Sequence, residues 1–283
     1  MNTNLVSPCS YQGGKQRLAK QIIDIIFEQN NIDDDTHFYD LCCGSGAITL
    51  ELVNRGVHPS NITMIDEGLY GTFWNSIANN EFSINDFKTE IDNLPSVDSI
   101  QKYLQELSNK PIDKEKLIYH YLLLQSGSFG SKQIYIDDNK WKNNSFRSYW
   151  MPTETSNRKS PVNPMMPMPD TLFKRVENIV ETLGGIINAI NLDISEVDWH
   201  FNENSIVYID PPYKNTTNYG YSFDYESFIS KYKAYTNIYL SEGYKTFGAT
   251  NNILLSKGRT KGNINGKTNK KPTEEWLNIY KFD

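Results

Sequence analysis

The feature that most constrains the fold is the segment SIVYIDPP, residues 205–212. Residues 205–209 form a short run rich in β-branched and aromatic side chains, which is typical of a fully buried strand in an α/β sheet. Pro211 and Pro212 fix φ, remove two backbone donors and disfavour the α region for the residue before each. The predicted strand therefore ends at Asp210, and the carboxyl ends of strands are where open α/β sheets bind ligands.

The four residues Asp210, Pro211, Pro212 and Tyr213 together suit chemistry on an amino group of a base. Such an amino group is a poor nucleophile because its lone pair is delocalised into the ring. A carboxylate from Asp210 and the carbonyl of Pro211 would accept its hydrogen bonds and stabilise developing charge, while Tyr213 offers a face for stacking of an extruded base. A proline-rich turn with an aspartate cap is the alternative interpretation.

A second motif predicts a nucleotide-binding βαβ unit near the amino terminus. The predicted strand at residues 37–41 runs into a turn containing Gly44 and Gly46, and a short helix follows. The next predicted strand, residues 61–65, ends in Asp66, about 20 residues after the glycines and suited to accept from ribose hydroxyls. These three parts in this order favour a Rossmann-like cofactor site.

Two residues indicate which cofactor this site takes. Thr49 stands where a dinucleotide fingerprint would have its third glycine, which disfavours NAD. Asp40, just before the turn, is poorly placed beside a pyrophosphate but well placed to accept from a cationic amino-acid moiety. A cofactor with an adenosine, an ammonium group and no phosphate fits best, so we expect S-adenosylmethionine.

The segment Tyr11-Gln12-Gly13-Gly14-Lys15 precedes apolar residues at helical spacing. The two glycines allow close backbone approach, and we expect residues 15–29 to form a helix whose amino terminus binds a carboxylate. A plain capped surface helix is the alternative.

These motifs, in the order Tyr11-x-Gly13-Gly14-Lys15, Asp40-x-x-x-Gly44-x-Gly46, Asp66 and Asp210-Pro211-Pro212-Tyr213, resemble the Dam-like (D12, class α) adenine-N6 DNA methyltransferases over nearly the whole chain. The resemblance implies an α/β fold: a Rossmann-like S-adenosylmethionine-dependent methyltransferase sheet with an inserted, mainly helical and loop-rich target-recognition region. It places the catalytic domain in residues 1–80 and 186–283, and the inserted DNA-binding region in residues 81–185.

The resemblance also implies roles for individual residues. The implied cofactor-binding set is Tyr11, Gly14, Lys15, Asp40, Gly44, Gly46, Asp66 and Asp193. Within this set Asp40 and Gly44 would hold the methionine end, Asp66 the ribose and Asp193 the adenine ring. Leu41-Cys42-Cys43 departs from the Pro-Phe that the family usually has there.

The charges are unevenly placed, although the net charge is −6. Residues 28–106 hold fourteen acidic and three basic side chains, whereas residues 123–175 hold eight basic and four acidic ones, and residues 257–271 hold six basic and no acidic ones. An acidic body with two basic regions is typical of a protein that grips a polyanion along one face. Solvated basic loops without a partner are the alternative.

Residues 132–170 mix aromatic, basic and amide side chains in a long loop-like segment, a composition that suits double-stranded DNA. The expected DNA-binding residues are Lys132, Asn143, Arg147, Arg158 and Lys159. The aromatic residues of the segment include Trp141, Phe146, Tyr149 and Trp150. We expect some of these aromatic residues to form a small core under the loop.

The remaining sequence features concern compartment and partners. No apolar stretch reaches transmembrane length, the first ten residues lack the basic and apolar parts of a signal peptide, and the three cysteines lack zinc-ligand spacing. We therefore expect an intracellular protein without metal or membrane contact. The family resemblance implies the cytoplasm of a bacterial or phage-infected cell, and the sequence leaves the oligomeric state open, with a monomer favoured.

The predicted function is site-specific methylation of the adenine N6 amino group in double-stranded DNA. In the resemblance, an aspartate at the first position of the Asp210 motif favours adenine over cytosine, and a GATC-like target is the first guess. The alternatives are amino methylation of cytosine N4, of RNA or of protein, a catalytically idle DNA-binding protein, and an NAD-dependent oxidoreductase.

Overall fold

The computed structural model describes residues 4–212, 223–257 and 274–282. These residues form a mixed α/β fold with a seven-stranded, mainly parallel sheet. The helices in the described residues are α1 (Ala19–Gln29), α2 (Ala47–Asn54), α3 (Leu69–Ala78), α4 (Ile84–Asp92), α5 (Ile100–Asn109), α6 (Leu117–Gly127), α7 (Pro169–Leu183) and α8 (Tyr225–Tyr232). The strands are β1 (His37–Leu41), β2 (Ile62–Ile65), β3 (Tyr135–Asp137), β4 (Lys140–Lys142), β5 (Asn188–Ile190), β6 (Ser205–Ile209), β7 (Asn237–Glu242), β8 (Asn251–Ser256) and β9 (Glu275–Tyr280).

The order of strands in the large sheet is β5-β2-β1-β6-β7-β9-β8. Pairing is parallel from β5 through β7, and β9 runs antiparallel to both β7 and β8. The chain moves outward from β1 through β2 to β5 and then returns to β6 on the other side of β1. The topological switch point therefore lies between β1 and β6, the place where an open α/β sheet binds its ligand.

The central strands are buried because they are covered on both faces. Every residue of β2 and β6 is buried, as expected for strands of a parallel sheet between helical layers. The apolar side chains form two clusters: one includes residues of α1, α2 and α3, and the other includes residues of α8. The predicted boundaries of β1 and β6 are confirmed.

The start of the first helix differs from the prediction. We expected a helix over residues 15–29, whereas α1 begins at Ala19. The N–H groups of Leu18 and Ala19 both donate to the Lys15 carbonyl at 2.7 Å, so a separate turn precedes the helix. The expectation that the glycine segment leads directly into a helix amino terminus was wrong. The turn directs Lys15 toward the sheet instead.

Between β2 and β5 the chain forms α3 to α7 and the antiparallel hairpin β3–β4. Trp141, Phe146 and Tyr149 are buried, but they belong to the main apolar cluster and not to the separate small core that we expected under the loop. Trp150, by contrast, is 47% exposed, and Phe129 at the end of α6 is 63% exposed. This part of the chain is therefore packed rather than an unstructured loop, and it presents two large aromatic side chains to solvent.

Candidate active site

The candidate site lies at the carboxyl ends of β1 and β6. The Asp210 N–H donates to the Leu41 carbonyl at 3.1 Å, which ties the end of β6 to the end of β1. After Leu41 the chain enters the glycine turn, and after Asp210 it enters the two prolines. The two motifs that the sequence places far apart therefore meet at the topological switch point.

Two aromatic rings clamp the glycine turn. Gly44 and Gly46 have φ angles of +49° and +72°. A Cβ on Gly44 would lie 3.1 Å from the Tyr11 ring, and one on Gly46 would lie 2.4 Å from the Trp74 ring. The Trp74 Nε1–H also donates to the Gly44 carbonyl at 2.8 Å. Glycine is thus required at both positions, by backbone conformation and by close ring contacts.

Asp66 follows β2 and closes the turn from the side. Its Oδ2 accepts from the Gly44 N–H at 2.9 Å and its Oδ1 from the Gly68 N–H at 2.8 Å. Burial raises the pKa of Asp66, and these backbone donors oppose that shift. The Asn191 Nδ2 group donates to the Asp66 carbonyl at 2.9 Å. Asp66 remains half-buried, so its carboxylate is held in place with lone pairs still available for a ligand.

Asp40 lies deeper than Asp66, with only 2% of its surface exposed. Its Oδ2 accepts from the Thr49 N–H at 3.1 Å and from the Thr49 hydroxyl at 2.8 Å. Burial raises the pKa of Asp40 to about 7, although both Thr49 bonds oppose the shift. Asp40 therefore anchors the first turn of α2, and Thr49 serves as its partner.

The surroundings of the glycine turn are strongly acidic. Burial raises the pKa of the Cys42 thiol well above its ordinary value, and four carboxylates raise it further. These carboxylates are Asp66, Asp210, Asp40 and Asp193. A region of this charge repels a pyrophosphate and attracts a cation, which agrees with the reasoning from Thr49 against a dinucleotide.

A buried lysine lies directly against the end of β6. The Nζ of Lys15 is 2.5 Å from Asp210 Oδ1, 3.0 Å from the Gly13 carbonyl and 3.3 Å from Glu275 Oε1. Burial alone would lower the pKa of Lys15, but Asp210 and Glu275 raise it above its ordinary value. Lys15 is therefore a buried ammonium group shared by two carboxylates.

The pKa of Asp210 is raised above its ordinary value. Burial raises its pKa to about 6; Lys15 opposes this shift, and Glu275 adds to it. Glu242, the last residue of β7, is 1% exposed, and its Oε2 has no hydrogen-bond partner among the described residues. Burial raises the pKa of Glu242 to about 7; the Gly243 N–H opposes this, and Asp210 adds to it. The end of β6 thus lies among carboxyl groups that change charge near physiological pH.

The other predicted site residues are placed as follows. Asp193 is half-buried after β5, and its Oδ1 accepts from the N–H and hydroxyl of Ser195, both at 2.7 Å. Gly14 lies close to the Tyr11 carbonyl, since a Cβ there would be 3.1 Å from it. Pro211 is buried and Pro212 half-buried. Tyr213 lies outside the described residues.

The expected DNA-binding residues fall into two groups. Lys132, Arg158 and Lys159 are exposed. Asn143 and Arg147 instead bond within the protein: Asn143 Nδ2 donates to the Gln133 carbonyl at 2.7 Å, and Arg147 donates to the Met165 carbonyl at 3.1 Å and the Ser131 hydroxyl at 3.0 Å. Their roles in DNA binding remain predictions.

Comparison with known proteins identifies the family. The family model of the D12 class N6 adenine-specific DNA methyltransferases matches residues 11–280, nearly the whole chain. The chain belongs to this family. The D12 methyltransferase is therefore an enzyme that methylates the N6 amino group of adenine in DNA, and its seven-stranded sheet is consistent with a methyltransferase fold. A search of curated proteins found no match.

Two negative findings apply to the described part of the methyltransferase. No helix there combines the length and apolar character needed to span a bilayer. The same residues contain no group of three or more His, Cys, Asp or Glu side chains arranged to hold a metal ion.

Sequence reasoning missed two residues of the site. Glu275 and Glu242 come from strands far along the chain from the motifs, and neither belongs to a motif. The signal that could have found them is their position at strand ends: Glu242 ends β7, and Glu275 begins the antiparallel β9, so both lie at the same edge as Asp210.

Proposed function

We propose that this D12 methyltransferase uses S-adenosylmethionine, held at the glycine turn, and methylates an adenine whose amino group is held by Asp210. The observation that carries this proposal is the meeting of Asp210 with the acidic glycine turn at the switch point of the sheet. S-adenosylmethionine, when bound, supplies an electrophilic methyl group.

The residues around the glycine turn fit such a cofactor. Asp66 presents a half-buried carboxylate, which suits the two ribose hydroxyls. The carboxylates that surround Cys42 suit a cofactor that carries ammonium and sulfonium charges. The Tyr11 ring packs against Gly44 and forms an aromatic wall beside the turn. Among the described residues Asp193 accepts from Ser195 through Oδ1, so its Oδ2 is suited to the adenine amino group.

Asp210 and Pro211 are the proposed catalytic groups. The second oxygen of Asp210 and the carbonyl of Pro211 would accept hydrogen bonds from the N6 amino group, which localises the nitrogen lone pair and stabilises its developing positive charge. For this task Asp210 must be ionised, and Lys15 at 2.5 Å favours the ionised form against the effect of burial.

The target adenine is proposed to leave the DNA stack before it reacts. The site lies at the carboxyl ends of the central strands. A base stacked inside a duplex cannot bring its amino group to the carboxylate that follows β6, and base flipping removes this obstacle. Tyr213 would then stack on the extruded base, as the sequence predicts.

We propose that residues 81–185 form the inserted DNA-recognition region, with residues 1–80 and 186–283 as the catalytic domain. Exposed Lys132, Arg158 and Lys159 would contact phosphates, whereas Arg147 would position the loop through its bonds to Ser131 and Met165. The region also presents exposed Phe129. The N–H of Gln12 donates to the Ser131 carbonyl at 2.7 Å, which ties the turn that carries Phe129 to the segment of Tyr11 and Lys15.

The test is transfer of tritium from labelled S-adenosylmethionine to unmethylated DNA, with nucleoside chromatography of the product. Wild type and the control Asp198→Ala, which removes an exposed aspartate before β6, are expected to yield labelled N6-methyladenine. Asp210→Ala should yield none while binding the cofactor almost normally. Label on cytosine or RNA would contradict the proposed acceptor, and a near-normal rate for Asp210→Ala would contradict the proposed mechanism.

A further inference from the structure

Lys15, near the amino terminus, is contacted by two carboxylates from the carboxyl-terminal part of the chain. Asp210 directly follows β6 and Glu275 begins β9, and the two lie 2.5 and 3.3 Å from the Lys15 Nζ. Glu275 reaches this position because β9 is antiparallel to β7: Glu242 at the end of β7 pairs with Trp276, so β9 begins where the parallel strands end. The antiparallel strand β9 thereby brings an extra carboxylate to the end of the sheet where Asp210 lies.

Lys15 alone would work against the chemistry of Asp210. When the N6 atom accepts the methyl group, the bond from that group to the sulfonium breaks and leaves its electron pair on sulfur. The nitrogen then carries a positive charge until it releases a proton to water. An ammonium group bonded to Asp210 cancels the negative charge that should stabilise this state, and a repulsive cation then lies near the nitrogen. Because Lys15 is only 5% exposed, water screens this effect poorly.

We propose that Glu275 is a positioning residue for adenine methylation. It binds Lys15 as a second carboxylate, so that Lys15, Asp210 and Glu275 together keep a net negative charge beside the amino nitrogen. Lys15 and Asp210 together have a charge of zero, and Glu275 changes the sum to −1 when all three are ionised. This inference rests on the proposed role of Asp210.

The same arrangement affects the pH dependence of Asp210, because Glu275 is one of the groups that raise its pKa. The charged and titratable groups that act on Asp210 or feel its charge are Lys15, Glu275, Glu242 on β7, Asp40 on β1, Cys42 after β1 and Tyr208 on β6. Loss of the Glu275 charge lowers the pKa of Asp210, so Asp210 stays ionised to lower pH.

The experiment compares Glu275→Gln with Glu274→Gln in the full-length enzyme. The control makes the same charge change one residue away on an exposed side chain that accepts from Trp276 Nε1. For Glu275→Gln we expect kcat to fall about tenfold, which corresponds to the interaction energy typical of residues in one charged network. Cofactor affinity should stay unchanged. The acid limb of kcat/KM, which reports free enzyme, should move to lower pH.

A second arm tests whether Glu275 acts through Lys15. In a Lys15→Met background the loss caused by Glu275→Gln should become smaller, because the cation that Glu275 offsets is absent. An equal loss in both backgrounds, an unmoved acid limb, or a kcat equal to that of Glu274→Gln would overturn the proposal. Failure of wild type to form N6-methyladenine would instead refute the proposed function, so the two failures are distinguishable.

Discussion

The clamp on the glycine turn makes a quantitative prediction for Gly46→Ala. Alanine at a φ of +72° costs about 1–2 kcal/mol because its Cβ crowds the backbone in the left-handed region. The same Cβ would lie 2.4 Å from the Trp74 ring. Trp74 is 1% exposed and bonded to the Gly44 carbonyl, so it has no room to move aside, and such overpacking costs about 1–3 kcal/mol more.

The matched control is Gly248→Ala. Gly248 has a nearly identical φ of +77°, but within the described part of the chain no atom beyond its own chain neighbours lies within 4 Å of the position of its added Cβ. Only the backbone cost of about 1–2 kcal/mol should therefore remain. The difference between the two variants isolates the contact between the turn and Trp74.

The assay is urea unfolding at constant pH, with the free energy of unfolding obtained by linear extrapolation. Gly46→Ala should lose about 2–5 kcal/mol in total, and its cofactor affinity should fall because the turn is displaced. Equal losses in the free energy of unfolding for Gly46→Ala and Gly248→Ala would show that the Trp74 ring moves aside without an energetic penalty. That result would refute the argument that contact with Trp74 requires glycine at position 46.

Three further predictions test other contacts. Thr49→Val removes the hydroxyl bonded to Asp40 and should lower the free energy of unfolding by about 1–3 kcal/mol, while Thr49→Ser should retain most of it. The pKa of Glu242 is raised to about 7, so the folded protein binds this proton more tightly than the unfolded chain does. The contribution of Glu242 to the free energy of unfolding therefore falls as pH rises from about 4.5 through 7. Glu242→Gln should flatten that part of a stability–pH curve, and an unchanged slope would contradict the raised pKa. Phe129→Ala should leave the free energy of unfolding almost unchanged because the side chain is 63% exposed. It should weaken DNA binding about tenfold in a titration at fixed salt. An exposed aromatic residue without a DNA contact would not show this effect.

Local sequence patterns predicted the central part of the fold. The β-branched run before Asp210 predicted β6 with its observed boundaries, because buried parallel strands need continuous apolar residues, and the short segment 37–41 that ends at the glycine turn predicted β1. The start of α1 could not be predicted in this way. Apolar spacing cannot distinguish the turn at Lys15 from a first helical turn, since both fit the same periodicity.

The candidate site was predictable in its motifs but not in its contacts. Asp66 beside Gly44 follows from the geometry of a βαβ unit, in which strand ends and turns are fixed relative to each other. Lys15 and Asp210 are 195 residues apart, and no sequence spacing encodes their meeting. The order of strands in the sheet decides it, and tertiary packing sets that order.

The distribution of charge separates the two halves of the site. Carboxylates surround the glycine turn around Cys42, where a cationic cofactor would bind, so they stabilise charge before the reaction. Transfer of a methyl group from a sulfonium to a nitrogen moves positive charge from that half toward Asp210. If the Lys15–Asp210 pair were neutral, this movement of positive charge would be unfavourable, because the cofactor side of the site would be more negative than the side of the amino nitrogen. If Glu275 acts as proposed, it reduces this imbalance, and a buried lysine 2.5 Å from the proposed catalytic carboxylate would not oppose the reaction.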